Sequence, residues 1–261
     1  MRIRTLDDIH AIVTGGGSGI GAATAEALVN AGARVTLMGR DMIRLHTQRE
    51  RLAPDQRSAI HCEAVDITQA DAVDGAFERA SQAFGPATIL INNAGQAQAA
   101  PFTKTDAELW QRMLDVNLTG VFLCTQAALP AMLERGYGRI VNVASTAGQI
   151  GYPYVAAYCA AKHGVIGLTR SLALEVATKG VTVNAVCPGY TETELLYASI
   201  DQVIAKTGRS EAEARAVLQS NNPQQRFVDP HEVANAVLWL VQRESASITG
   251  QSISISGGEV M

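Results

Sequence analysis

The run Thr14-Gly15-Gly16-Gly17-Ser18-Gly19-Ile20-Gly21 constrains this chain more than any other segment. It follows the apolar stretch Ala11–Thr14 and precedes an amphipathic stretch, Ile20–Ala31. A strand that turns through glycines into a helix leaves the helix N-terminus uncrowded. Its N–H groups and the positive end of its dipole then face an open space. That arrangement suits the pyrophosphate of a dinucleotide. Gly15 is expected to make the tight turn, Gly17 and Gly19 to meet the phosphates, and Gly21 to let the helix lie close to the strands. Ser18 and Ile20 stand at the helix start beside them.

The rest of the chain repeats the same rhythm. Short β-branched runs at Ala11–Thr14, Arg34–Met38, Ala59–Val65, Thr88–Ile91, Arg139–Val143, Thr182–Val186 and Ser252–Ile255 read as strands. Between them, Ile20–Ala31, Met42–Leu52, Asp71–Phe84, Asp106–Arg135, Tyr154–Thr178 and Pro230–Val241 read as helices, with an interruption open within Asp106–Arg135. Several strands are almost wholly apolar, as when both faces of a sheet are covered. Strand–helix alternation of this kind predicts an α/β fold with parallel strands and right-handed crossovers. Capping boxes are expected at Thr105–Glu108 and Ser210–Glu213, and Asp229 precedes Pro230 as an N-cap before Pro at the first helical position. Residues 192–225 break the rhythm, being polar, helix-prone and without a strand, and are expected to form an insertion over a site. A length of 261 residues allows one or two domains, and the unbroken alternation favours one over 1–261.

Composition excludes several classes. With 47% hydrophobic and 18% charged residues the chain is not disordered. Lys and Arg number 21 against 25 Asp and Glu, a net charge of −4, so no basic surface for nucleic acid is expected. The start Met1-Arg2-Ile3-Arg4 leads into Asp7 and Asp8 with no apolar run, so neither a secretory leader nor a membrane span is expected. Cys62, Cys124, Cys159 and Cys187 are scattered, as for free thiols in a cytoplasmic protein, and no His or Cys spacing points to a metal. Twenty-three glycines against 5% aromatics suggest close backbone contacts around a ligand. Gly257 and Gly258 have no evident task.

The end of the second strand bears on which dinucleotide is bound. An acid about 20 residues past the loop would hold the ribose hydroxyls of NAD. Here Gly39-Arg40 stands there, and a guanidinium can pair a 2′-phosphate, so NADP is favoured. Asp41 follows and keeps NAD open. Further on, Tyr158 and Lys162 are spaced i, i+4, which places phenol and ammonium on one helix face. A neighbouring cation is expected to lower the Tyr pKa. Ser145 lies just past the strand Arg139–Val143, Asn92-Asn93-Ala94-Gly95 ends another strand, and Asn117 puts a polar side chain inside a helix-prone run.

Taken together and in this order, the Thr14–Gly21 loop, Asp66, Asn92–Gly95, Asn117, Ser145, Tyr158, Lys162 and Pro188-Gly189 make the sequence resemble the short-chain dehydrogenase/reductase family over essentially its whole length. The resemblance implies a Rossmann fold with a seven-stranded parallel sheet in the order 3-2-1-4-5-6-7, helices on both faces and a lid near 192–225. It implies Tyr158 as general acid/base and Ser145 as donor to the substrate oxygen. Lys162 would bind the nicotinamide ribose and tune Tyr158, and Asn117 would hold a water in a proton relay. Asp66 and Ile67 would flank the adenine, Asn93, Ala94 and Gly95 would line the cofactor, and Pro188, Gly189, Thr191 and Thr193 would meet its nicotinamide end. It also implies a homotetramer built on the long helices and the C-terminal region.

The implied reaction is hydride transfer between the cofactor and a ketone or secondary alcohol. Gly138–Ser145 and Cys187–Tyr190 resemble the 3-oxoacyl and polyketide ketoreductases, whereas Thr207–Phe227 resembles the lid of 3-hydroxybutyrate dehydrogenases. Where the latter hold a free carboxylate with polar and cationic groups, this chain has Ala97, Ala147 and Val155, which disfavours a free short hydroxy acid. Gln96, Gln149, Tyr152, Tyr190, Leu195 and Leu196 are the candidate pocket residues, suited to an uncharged or thioester-linked ketone, and several could equally pack under the lid. Two alternatives stay open: an NAD-dependent dehydrogenase of a hydroxyacyl compound or secondary alcohol, and a non-catalytic dinucleotide sensor.

Overall fold

A computed structural model describes residues 5–261, so the reading of Met1–Arg4 lies outside the described residues. Seven strands form one parallel sheet: β1 His10–Thr14, β2 Arg34–Gly39, β3 Ile60–Ala64, β4 Ile89–Asn92, β5 Gly138–Val143, β6 Val181–Pro188 and β7 Ser252–Ile255. Their order is β3-β2-β1-β4-β5-β6-β7, as the resemblance implies. Side chains alternate across β1. Ala11 and Val13 pack with Leu28, Val29, Val233 and Val237 on one face, while Ile12 packs with Val73, Ala76, Cys124 and Met132 on the other. Both faces are therefore dry, which is why the strands read as continuous apolar runs.

The first of those faces is covered by α1 (Gly19–Asn30), α2 (Met42–Arg51) and α9 (Pro230–Val241), and the second by α3 (Ala70–Phe84), α5 (Gly120–Arg135) and α6 (Ala156–Glu175). The expected interruption in Asp106–Arg135 is a π-helical turn, Asp115–Thr119, between α4 (Ala107–Leu114) and α5. Ala107–Arg135 is long enough to cross a membrane and contains an 18-residue window of mean hydropathy 1.4, but Cys124, Ala128 and Met132 pack against the sheet as a core helix does.

Two local expectations need correction. The N-cap of α4 is Asp106, whose carboxylate accepts from the Leu109 N–H at 2.7 Å, and not Thr105. An ionised acid also complements the helix dipole, which a hydroxyl does not. The helix expected over Tyr154–Thr178 covers only Ala156–Glu175. Tyr154 sits at φ 69° and turns the chain into the helix, while Gly180 at φ +73° reverses it afterwards. Residues 192–225 do form a helical insertion, α7 (Glu194–Thr207) and α8 (Glu211–Gln219), with the capping box at Ser210 and Glu213 in place. The insertion is nevertheless tied to the framework by a parallel bridge between Thr191 and Val228.

Backbone approaches closely between β1 and the start of α1. A Cβ at Gly21 would fall on the Gly15 carbonyl and within 2.5 Å of Asn93 Nδ2. Gly21→Ala is therefore expected to cost about 1–3 kcal/mol through overpacking. Gly151→Ala, where nothing lies within 4 Å, should change stability by less than about 0.5 kcal/mol. Chemical denaturation of the two variants beside wild type checks the contrast.

Candidate active site

The carboxyl ends of the strands open into a cleft of about 1170 Å³. It begins where the strand order reverses between β1 and β4, the usual binding position in an open α/β sheet. Gly15, Gly17, Ser18, Arg40, Asp66, Ile67, Ala94, Gly95 and Gln96 all line it. Ser18 is the N-cap residue of α1 but makes no side-chain cap, and the first turn carries no acid. The first N–H groups of α1 are thus left for an anion.

The glycine loop is held from below by β4. Asn93 Nδ2 donates to the carbonyls of Thr14 at 2.9 Å and Gly15 at 3.2 Å, and the N–H groups of Asn93 and Ala94 donate to Thr14 Oγ1 at 2.9 and 3.0 Å. Asn93 thus shapes the cleft by bracing the loop. On the opposite side, a Cβ at Gly19 would lie 2.9 Å from Thr193 Cγ2, so Thr193 covers the loop from the segment after β6. Gly15 and Gly19 both have positive φ, +64° and +54°. Side chains at these positions would fill the cradle, and the residues present therefore fit a dinucleotide.

Arg40 is exposed at the cleft and joins no ion pair among the described residues. Asp41, which kept NAD open, is occupied elsewhere: its Oδ1 caps α2 through the N–H groups of Ile43 at 2.9 Å and Arg44 at 3.2 Å. Sequence reasoning missed Arg44, a second guanidinium lining the cleft and paired at 2.6 Å with Glu194 at the start of α7. Nothing local could reveal that contact, since the partner lies 150 residues away. Asp66 accepts from the N–H and hydroxyl of Thr68 at 3.0 and 2.8 Å, while Ile67 is buried against Gly120.

The structure brings Ser145, Tyr158, Lys162 and Asn117 together around the ends of β4, β5 and β6. Ser145 follows β5 and caps a short helical turn, its Oγ accepting from the Ala147 N–H at 3.1 Å. That hydroxyl reaches the Pro188 carbonyl at 3.5 Å and lies by the Tyr158 phenol, whose ionisation it favours. Lys162 is buried one turn along α6, its Nζ 5.6 Å from the Tyr158 ring centre and donating to the Val143 carbonyl at 2.8 Å. Asn117 lies fully buried in the π-helical turn. Its Nδ2 donates to the Met113 and Gln96 carbonyls at 2.9 Å each, and its Oδ1 accepts from the Gln96 N–H at 3.2 Å. A Cβ at Gly95 would sit 2.9 Å from Asn117 Oδ1 and 3.7 Å from Lys162 Nζ, so that glycine keeps the two side chains within reach of each other.

The expected lowering of the Tyr158 pKa is not what this environment produces. Burial pushes the phenol up to about 12, and the Ser145 hydroxyl only partly opposes it. Burial also draws the Lys162 ammonium down to about 8. Lys162 is directed at the Val143 carbonyl and is not among the groups that move the Tyr158 phenol, which burial dominates. Tyr158 is therefore a protonated donor at neutral pH.

The pocket candidates divide. Tyr152 donates to Glu259 at 2.6 Å and meets Thr146 Oγ1 at 2.9 Å. Tyr190 and Gln96 stand near the site, the first by Tyr158 and the second in the cleft. Gln149 instead ties the loop to β7, its Nε2 3.4 Å from the Ser252 carbonyl and its Oε1 2.9 Å from Ser254 Oγ. Leu196 is buried with Ile200, Ala214, Leu218 and Phe227 in the insertion's own apolar cluster, whereas Leu195 is exposed. The buried ammonium has a consequence for stability. A lysine with a depressed folded-state pKa binds fewer protons when folded than when unfolded between pH 8 and the ordinary lysine range, so folding stability rises with pH there. Wild type is expected to gain on Lys162→Met as pH is raised from 7 to 10, read from paired denaturation curves. A constant difference would contradict it.

Comparison with known proteins agrees with this geometry. The profile of the family described as short chain dehydrogenase matches residues 9–204. The chain is 38% identical over 252 residues to D-beta-hydroxybutyrate dehydrogenase of Rhizobium meliloti (strain 1021), covering 95% of this chain and 97% of that one. It is 40% identical over 251 residues to acetoacetyl-CoA reductase of the same organism, covering 95% and 97%. Among solved structures, a variant of actinorhodin polyketide ketoreductase with NADPH superposes with a TM-score of 0.91 at 37% identity, covering 96% of this chain and 97% of that chain. A nucleotide cradle at the sheet switch point, a protonated tyrosine beside a serine, and relatives aligned end to end lead to one conclusion: this chain belongs to the short-chain dehydrogenase/reductase family of oxidoreductases.

Proposed function

We propose that the chain is an NADPH-dependent ketoreductase acting on an uncharged 3-oxoacyl compound, such as a thioester. The observation that carries the reading is the pairing of a protonated Tyr158 phenol with the Ser145 hydroxyl beside a buried Lys162. The nicotinamide cofactor supplies the hydride. Ser145 donates to the substrate oxygen and orients it, and Tyr158 gives its proton as negative charge develops there, a contribution of roughly 10²–10⁴-fold. Lys162 holds the ribose and compensates the phenolate left behind. Asn117 anchors a water through which the proton is replaced. The Thr14–Gly21 loop takes the pyrophosphate, Arg40 the 2′-phosphate, Asp66 and Ile67 the adenine, and Pro188, Gly189, Thr191 and Thr193 the nicotinamide end.

The unpaired Arg40 and the committed Asp41 support NADP over NAD. Ala97, Ala147 and Val155 support an uncharged substrate, and the relatives' names, an acetoacetyl-CoA reductase and a polyketide ketoreductase, are in keeping with it. The lid over 192–225 closes on the site to exclude water. Exposed Phe122 and Leu133 on α5 and Leu174 on α6 support a homotetramer built on those helices. The free cysteines support a cytoplasmic location.

Two measurements test the reading. Against acetoacetyl thioesters and methyl acetoacetate with NADPH, Tyr158→Phe is expected to lower kcat by at least about 10²-fold while NADPH binding is retained. Near-normal turnover would reject the mechanism. By fluorescence titration, Arg40→Ala is expected to weaken NADPH about tenfold or more and NADH less than about threefold, because a lost bond between charged groups is worth roughly 1.5–3 kcal/mol. Equal losses would reject the 2′-phosphate role.

A further inference from the structure

Glu259 is followed by only Val260 and Met261 and no motif singles it out, yet the structure places its carboxylate beside Tyr152 and Gly189 at the candidate active site. Gly257 and Gly258, whose sequence context assigned them nothing, take φ +62° and +95° just past β7 and turn the chain back on itself. Gly257 does so against the Asn222 side chain at the end of the insertion, where a Cβ would collide. The turn delivers Glu259 to the segment after β6, where a Cβ at Gly189 would lie 2.8 Å from Glu259 Oε2. Oε1 accepts the Tyr152 hydroxyl at 2.6 Å, and Tyr152 in turn meets Thr146, the neighbour of Ser145. Tyr190 is linked to both, since the Glu259 charge raises its phenol and it in turn raises that of Tyr158. None of the ion pairs among the described residues engages Glu259. A carboxylate with no ion-pair partner among the described residues therefore stands two hydrogen bonds away from Thr146, the neighbour of Ser145.

We propose that Glu259 is a specificity-determining residue, whose carboxylate beside Gly189 and Tyr152 excludes ketones bearing a free carboxylate and leaves the site to neutral ones. The proposal rests on the ketone reading of the same site. In a half-buried cleft the repulsion between two anions is only partly screened, and like charges brought together at an interface oppose binding strongly. Two cations in the surrounding segments are engaged elsewhere. Lys162 lies under the Tyr158 ring with its ammonium on the Val143 carbonyl, and Arg226 is engaged by Glu232 at 2.6 Å. The residues Ala97, Ala147 and Val155 explain why a free acid finds no partner. Glu259 adds an active reason for its rejection, a distinction between a missing attraction and a present repulsion.

The test uses complexes with NADP⁺, in which a ketone binds but cannot be reduced. Dissociation constants for acetoacetate and for methyl acetoacetate are measured by calorimetry on wild type and Glu259→Gln, which keeps an acceptor for Tyr152 while removing the charge. Glu259→Ala is the second variant. Each variant's thermal unfolding is compared with wild type. The expected result is at least about tenfold tighter acetoacetate binding in the variants and less than about threefold change for methyl acetoacetate. Unchanged acetoacetate binding in folded variants would overturn the assignment. A gain for acetoacetate with no binding of the neutral ester to any form would uphold Glu259 as a charge filter and instead overturn the 3-oxoacyl reading.

Discussion

The cleft depends on one constraint, the close approach of backbone at the carboxyl ends of β1 and β4. Thr14, Gly15 and Asn93 are laced by four hydrogen bonds in which one side-chain amide and one hydroxyl bind main-chain groups of the opposing strand end. Gly21 lets α1 settle directly on that lacing, since even a methyl group would strike the Gly15 carbonyl. Once α1 is placed, its uncapped first turn points into the opening. The phosphate cradle follows from backbone geometry, with side chains used mainly as braces.

The chemistry at the other end of the cleft depends on burial. A phenol shielded from water stays protonated well beyond neutrality, and an ammonium shielded from water holds its proton less firmly. These shifts move the two groups apart in acidity, so that Tyr158 keeps its proton while Lys162 gives one up more readily. The π-helical turn contributes by carrying Asn117 inward, where its side chain satisfies the Met113 and Gln96 main-chain groups. Such turns are rare and often mark functional sites. At the substrate side the chain end supplies a charge that the strand ends do not.

Much of the fold was legible because it is written in local patterns. All seven strands are recovered within a residue or two of their positions, since apolar β-branched runs between helix signals have few other uses. The spacing of Tyr158 and Lys162 indicated a shared helix face without further information. Boundaries were less legible. Tyr154 reads as a helix former but occupies a positive φ, which only its turn context imposes. Asp106 and Thr105 compete for one cap, and the choice depends on how the chain enters α4. Gln149 and Leu196 have the chemistry of pocket residues, but contacts with β7 and with the insertion's own core use them otherwise.

The sequence by itself determined the glycine loop, the strand–helix alternation, the i, i+4 pair and the exclusion of basic-surface and disulfide-built classes. Periodicity, spacing and backbone permissiveness act over a few residues, so they survive in one dimension. Only the tertiary structure decided that Asp41 is a cap and Arg40 is free, that burial raises the Tyr158 phenol, and that Arg44 meets Glu194. It also brought Glu259 against Tyr152 across 107 residues of chain. Charge, desolvation and hydrogen-bond partners are properties of a place in space, and folding determines who shares that place.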